Sequence, residues 1–122
     1  MVIEEAQNFA PERAYAGSTS AGKDNLSLAT LQRIATEGRK FDIGLLIITQ
    51  RPAQVSKYVL SQMNTQVVFR TISKQNLDAL ENFMEHTGRG IVELAPPLPT
   101  GVGIINGVAV PFSIVFEGNS CE

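Results

Sequence analysis

The stretch Ile43-Gly44-Leu45-Leu46-Ile47-Ile48 limits what this chain can fold into more than any other segment. Its apolar residues do not alternate with polar ones, and polar residues bound it on both sides. Such a run is far too short to span a bilayer. It reads as a strand covered on both faces, the setting of a central strand in a parallel sheet. A parallel strand needs a neighbour reached by a crossover, so the rest of the chain should alternate strands and helices.

The flanking sequence supplies that alternation. Met1-Val2-Ile3 is β-prone and gives way at once to Glu4-Glu5, as at the end of a strand. Residues 11–25 are rich in Gly, Ser, Ala and charge, which predicts a mobile loop, with Asp24 or Asn25 as cap of the next helix. Leu28, Leu31, Ile34 and Ala35 recur at helical spacing and predict a helix over 26–37. Gly38 ends it, and Arg39-Lys40 suit the negative end of its dipole. A short helix over 56–63, a second buried-type strand over 65–71 and a helix capped by Ser73 follow. A short strand over 91–94 leads through Ala95-Pro96-Pro97-Leu98-Pro99 into a hairpin turning at Asn106-Gly107. The order predicts an α/β layered domain over 1–116, a mostly parallel sheet with a C-terminal antiparallel hairpin, and a flexible tail over 117–122.

Composition narrows the function classes. The 122 residues carry 10 Lys+Arg against 12 Asp+Glu, a net charge of -2, so binding to nucleic acid by bulk charge is disfavoured. The lone Cys121 and the lone His86 cannot build a disulfide or a zinc centre, which fits a reducing, cytoplasmic setting. His86 reads as a helix-end contact and Cys121 as a free thiol. The N-terminus has no basic region of the kind a secretory signal carries.

Ligands of open α/β sheets bind at the carboxyl ends of strands. Three polar clusters are expected there: Glu4-Glu5, Thr49-Gln50-Arg51, and Arg70 in the third strand. Paired acids at a strand end can hold a Mg²⁺ shell with one carboxylate and orient a water with the other. A neutral amide such as Gln50 can sense a terminal phosphate. The pair alone reads first as two surface glutamates that follow a strand by chance. Gly17-Ser18-Thr19-Ser20-Ala21-Gly22-Lys23-Asp24 matches G-x-x-x-x-G-K but ends in Asp, which lacks the hydroxyl that binds Mg²⁺. Residues 11–16 before it are no buried strand, so the segment reads as a flexible loop; a small nucleotide-binding protein working through 17–24 is the weaker reading. By spacing, Arg39 reads first as a solvated helix-end cation and second as an arginine finger.

These residues carry a resemblance. Val2-Ile3-Glu4-Glu5-Ala6-Gln7-Asn8-Phe9-Ala10-Pro11 resembles the Walker B region of HerA-type ATPases, in the HerA–FtsK superfamily. Residues 33–41 are similar to that family's segment before the sensor strand, and residues 44–52 to the sensor strand with its following turn. Leu60-Ser61-Gln62-Met63-Asn64-Thr65-Gln66 and Leu98-Pro99-Thr100-Gly101 continue the match in order. The resemblance implies a RecA-like P-loop NTPase fold, ATP and Mg²⁺ as cofactors, and a homo-oligomeric ring that moves along double-stranded DNA, often with an end-processing nuclease. It implies Glu4 as the metal-shell acid, Glu5 as the catalytic glutamate, Gln50 as the γ-phosphate sensor and Arg39 as the finger. It also implies Arg51, Gly101 and Gly103 near the nucleotide, and Lys23 on a pore loop with a phosphate contact to nucleic acid.

Two departures stand out. Glu4 replaces the family's usual Asp, and Gln7 its usual His. The family's Walker A half lies upstream of Walker B, so the expectation is a chain with hydrolysis and sensing elements but no phosphate cradle, inactive when alone. The alternative is a non-catalytic, self-associating module derived from such an ATPase, its unpaired strand edge driving assembly.

Overall fold

The structure, a computed structural model, describes residues 1–13, 26–84 and 89–119. The expected mobile loop falls largely outside the described residues, and with it Lys23, the G-x-x-x-x-G-K match and both candidate caps at 24 and 25. His86 and Cys121 are also outside them. The chain divides into two compact units, Met1–Met63 and Asn64–Glu122.

The first unit is built on two parallel strands, β1 (Val2–Ile3) and β2 (Leu46–Ile47), with Val2 opposite Leu46 and Ile3 opposite Ile47. Their ladder runs from Leu46 N–H to Met1 O (2.9 Å), through Ile48 N–H to Ile3 O (2.8 Å), to Ala6 N–H on Ile48 O (3.2 Å). The crossover helix α1 (Leu26–Glu37) has the expected bounds. Beyond it Gly38 is buried, and the chain tightens into a 3-10 turn over Gly38–Phe41 before Asp42 reverses it at φ 55°. A buried cluster of Ala10, Leu31 and Val59 gathers Ile3, Leu28, Leu45 and Ile47 around it.

That cluster explains a correction. The apolar run forms a strand of only two residues, and it is covered on one face. Leu45 and Ile47 turn inward, whereas Leu46 and Ile48 stay 54% and 44% exposed. A run apolar at every position fits either face against a core, so its sequence cannot tell one-sided from two-sided cover.

After β2, a 3-10 turn (Pro52–Gln54) leads to α2 (Lys57–Ser61), shorter than expected. An isolated bridge joins Pro11 to Val55. Around it Glu12 N–H donates to Gln54 O (2.8 Å) and Ser56 N–H to Ala10 O (2.7 Å). The Glu12 carboxylate accepts the Lys57 N–H at 2.8 Å, satisfying a first-turn amide of α2.

The second unit is an antiparallel sheet, ordered β3 (Thr65–Phe69), β4 (Val102–Gly107), β5 (Ile114–Glu117). This corrects the expectation of a third buried parallel strand. The β3 strand alternates exposed and half-buried residues and pairs antiparallel with β4, so Arg70 follows a strand of the antiparallel sheet. α3 (Lys74–Phe83) forms where expected, with Leu77 N–H on Ser73 O at 2.9 Å. The short strand expected over 91–94 is instead part of a 3-10 helix, Arg89–Leu94. The hairpin exists, but Asn106-Gly107 is not its turn. Both residues belong to β4, and residues 108–113 make the connection. Asn106 is fully buried, its Oδ1 accepting the Ser113 hydroxyl at 2.9 Å. Glu117, read as tail from sequence, closes β5, and Gly118 N–H donates to Gly101 O at 2.8 Å.

Candidate functional site

Parallel pairing fixes where the polar strand ends go. Because β1 and β2 run the same way in register, Glu4-Glu5 and Thr49-Gln50-Arg51 leave the sheet at its one carboxyl edge. The Ala6 N–H on Ile48 O ties the two exits directly together. Glu4, Glu5, Gln50 and Arg51 are all exposed there.

Glu5 takes a left-handed backbone, φ 49° and ψ 48°, as the chain leaves β1 for a 3-10 turn over Ala6–Asn8. A β strand would have sent Gln7 to the same side one repeat further on. The left-handed turn instead folds Gln7 back toward the strand ends. Its Nε2 donates to Glu5 Oε2 at 2.5 Å, and its Oε1 accepts the Thr49 hydroxyl at 2.7 Å. The Thr49 oxygen in turn accepts the Arg51 N–H at 3.0 Å. The acid pair and the segment bearing Gln50 are therefore joined by side-chain hydrogen bonds as well as by the sheet. Gln7 carries that link, and strand periodicity gave no signal for it; only the departure from His marked the position.

The donor set at this edge fits a hard cation. Glu4 and Glu5 offer carboxylate oxygens, the ligand type Mg²⁺ takes, and Mg²⁺ is normally held by one or two carboxylates with phosphate and water completing its shell. Among the described residues no three His, Cys, Asp or Glu gather, so the edge is not an all-protein metal cage.

The remaining candidates belong to other elements. Arg39, exposed, sits in the 3-10 turn that feeds the amino end of β2, away from the carboxyl edge that gathers the acids. Gly101 and Gly103 belong to the second unit. Gly101 takes φ +83° and its carbonyl accepts from Gly118. Gly103 is buried, and a Cβ on it would meet Phe116 Cζ at 2.8 Å and Phe69 Cε1 at 3.0 Å. Those two rings meet edge to face, 5.9 Å between centroids, over the glycine. Packing by these rings requires a glycine at 103.

Comparison with known proteins gives the family and the fold. No family model matches the chain. The DNA double-strand break repair helicase HerA of Pyrococcus furiosus is 32% identical over 110 residues, covering 90% of this chain. The HerA-type ATPases are the family to which this chain belongs. A probable helicase of Methanocaldococcus jannaschii, MJECL08, is 35% identical over 91% of the chain, and the HerA of Saccharolobus solfataricus 31% over 96%. The chain spans about a fifth of the length of these relatives, 18% to 23%. In fold it matches the genome packaging NTPase B204 of Sulfolobus turreted icosahedral virus 2, solved with ATP-gammaS. The TM-score is 0.74 at 16% identity, over 98% of this chain and 52% of that one. The architecture is thus RecA-like, as HerA-type sequence requires. Among the described residues no helix is long and apolar enough to cross a membrane.

Proposed function

We propose that this chain supplies the Walker B, sensor and finger elements of a HerA-type motor that couples ATP hydrolysis to movement along double-stranded DNA. The observation that carries this reading is the shared carboxyl edge: register Val2–Leu46 and Ile3–Ile47 sets Glu4-Glu5 beside Thr49-Gln50-Arg51. Glu4 would hold Mg²⁺, which supplies charge neutralisation at the phosphates when bound. The Glu5 carboxylate orients the attacking water and accepts its proton. Gln50, on the neighbouring exit, reports the terminal phosphate. Arg39, in the turn before β2, would be the finger offered to a neighbouring subunit of a homo-oligomer, a role that rests on the family resemblance. DNA as the track is supported by the repair helicases named above. Lys23 as a DNA contact and a nuclease as partner rest on the family resemblance alone.

The test joins the chain in frame behind the P-loop portion of the Pyrococcus furiosus HerA and measures ATP turnover, beside the chain alone. Turnover is expected from the fusion, lost in Glu5→Gln by about 100-fold or more, and weak or absent ATP binding from the chain alone by calorimetry. Turnover by the chain alone that Lys23→Ala abolishes and Glu5→Gln spares would overturn the reading in favour of the 17–24 loop.

A second reading, a self-associating module without catalysis, draws on a specific feature. Val2, Phe41, Ile43, Leu46 and Ile48 are all 43% to 71% exposed around the short parallel pair. Apolar exposure of that kind marks a contact surface. Light scattering over a concentration series tests this reading, since a monomer at all concentrations removes it.

A further inference from the structure

We propose that Gln7 is a positioning residue that locks the Glu5 carboxylate to Thr49, so that the turn carrying Gln50 sets where the hydrolytic carboxylate stands. This rests on the reading of Glu5 and Gln50 given above and adds the element that couples them. Three bonds make the case: Gln7 Nε2 to Glu5 Oε2 (2.5 Å), Thr49 Oγ1 to Gln7 Oε1 (2.7 Å) and Arg51 N–H to Thr49 Oγ1 (3.0 Å). They run in one direction. A backbone amide donates to a hydroxyl, the hydroxyl to an amide carbonyl, and that amide's NH₂ to a carboxylate.

The carboxylate sets this polarity. Ionised, it only accepts, so Gln7 must turn its NH₂ toward Glu5 and its carbonyl toward Thr49. A flipped amide would set two acceptors against each other. Thr49, half-buried, is held by its own contact with the Arg51 N–H, a local turn that fixes the hydroxyl. A shift of that turn therefore has to be answered at Gln7, and through it at Glu5. The left-handed backbone of Glu5 is what brings Gln7 within reach, since the two residues are two apart and an extended chain would separate them. A His at this position would keep one donor and one acceptor, but on a rigid ring whose two nitrogens lie at fixed separation.

The test uses the whole chain, labelled with ¹³C and ¹⁵N, and needs no nucleotide. Thr49→Val keeps the side-chain shape, removes the hydroxyl, and alters no atom bonded to Glu5. It should shift the Glu5 Cδ resonance and speed water exchange of the Gln7 NH₂ by about fivefold, the worth of one lost hydrogen bond. Thr49→Ser, which keeps the hydroxyl, should restore both. An unmoved Glu5 Cδ in a Thr49→Val chain of unchanged circular dichroism overturns the proposal. If Thr49→Val does not fold, Gln7→Met is read from the other side: the Arg51 amide proton and Thr49 Cβ should shift, and both unmoved overturns it equally. In the turnover assay, Thr49→Val should lower kcat by about 10- to 100-fold with KM unchanged, the range for a group that orients a catalytic ligand. Coupled resonances without turnover refute the hydrolysis reading and leave the relay standing. Turnover with uncoupled resonances refutes the relay alone.

Discussion

The two units meet the same backbone problem in opposite ways. Among the described residues, each has positive φ beside the start or end of a strand or helix. The second unit puts glycine there: Gly101 at +83° and Gly107 at +114°. The first unit puts side chains there: Glu5 at 49° and Asp42 at 55°. Asp tolerates this region because its short side chain bonds locally, but Glu gains no such relief. A left-handed non-glycine residue costs about 1–2 kcal/mol. Sites that accept such strain tend to be the ones whose side chain is needed. The difference therefore separates a unit shaped for closure of a sheet from one that gives up some stability to hold a carboxylate at a strand end.

The largest expected break in this pattern is Gly107→Ala. Its φ is unfavourable for any side chain, and the new Cβ would run into the Asn64 carbonyl and the Thr65 backbone. Backbone cannot yield as a flexible side chain can. The loss should reach about 3 kcal/mol or more, the tail reserved for strain combined with overpacking. Urea unfolding would show it as a lowered midpoint with an unchanged slope. A loss below about 1 kcal/mol would mean that the end of β4 does not approach the Asn64–Thr65 backbone as described.

Gly101→Ala sharpens the same contrast, because there the conformational term stands alone. Its Cβ would find only the Gly118 carbonyl oxygen, at 3.9 Å. The expected loss is about 1 kcal/mol, from φ alone. Near-equal effects at 101 and 107 would show that contact with Asn64 adds nothing.

The same contrast accounts for what the sequence revealed. The order of strands and helices, α1 to the residue, and the juxtaposition of Glu4-Glu5 with Thr49-Gln50 were legible, because apolar runs and a parallel crossover leave few topologies. Residues 91–94 were not, because a short apolar run among glycines and prolines fits a strand and a 3-10 helix alike. Asn106-Gly107 carried the strongest local turn signal in the chain, yet burial of Asn106 against the Ser113 hydroxyl outweighed it and moved the turn onward. The Gln7 bridge was hidden for a different reason. It depends on one left-handed residue and a partner 42 positions away, and neither leaves a periodic trace.

The smallest effect lies at Glu5 itself. Glu5→Ala and Glu5→Gly both remove the carboxylate and its bond to Gln7, so that loss cancels between them. What remains is the backbone. Alanine keeps the left-handed cost of about 1–2 kcal/mol, while glycine escapes it but brings about 0.5–1 kcal/mol of extra chain entropy to the unfolded state. The Gly variant should therefore be more stable than the Ala variant by about 0.5–1 kcal/mol. Paired urea titrations resolve a difference of that size when slopes are shared. An Ala variant as stable as the Gly variant would mean that Glu5 carries no backbone strain. The two units would then differ in sequence alone, and the left-handed glutamate could no longer be read as stability given up for function.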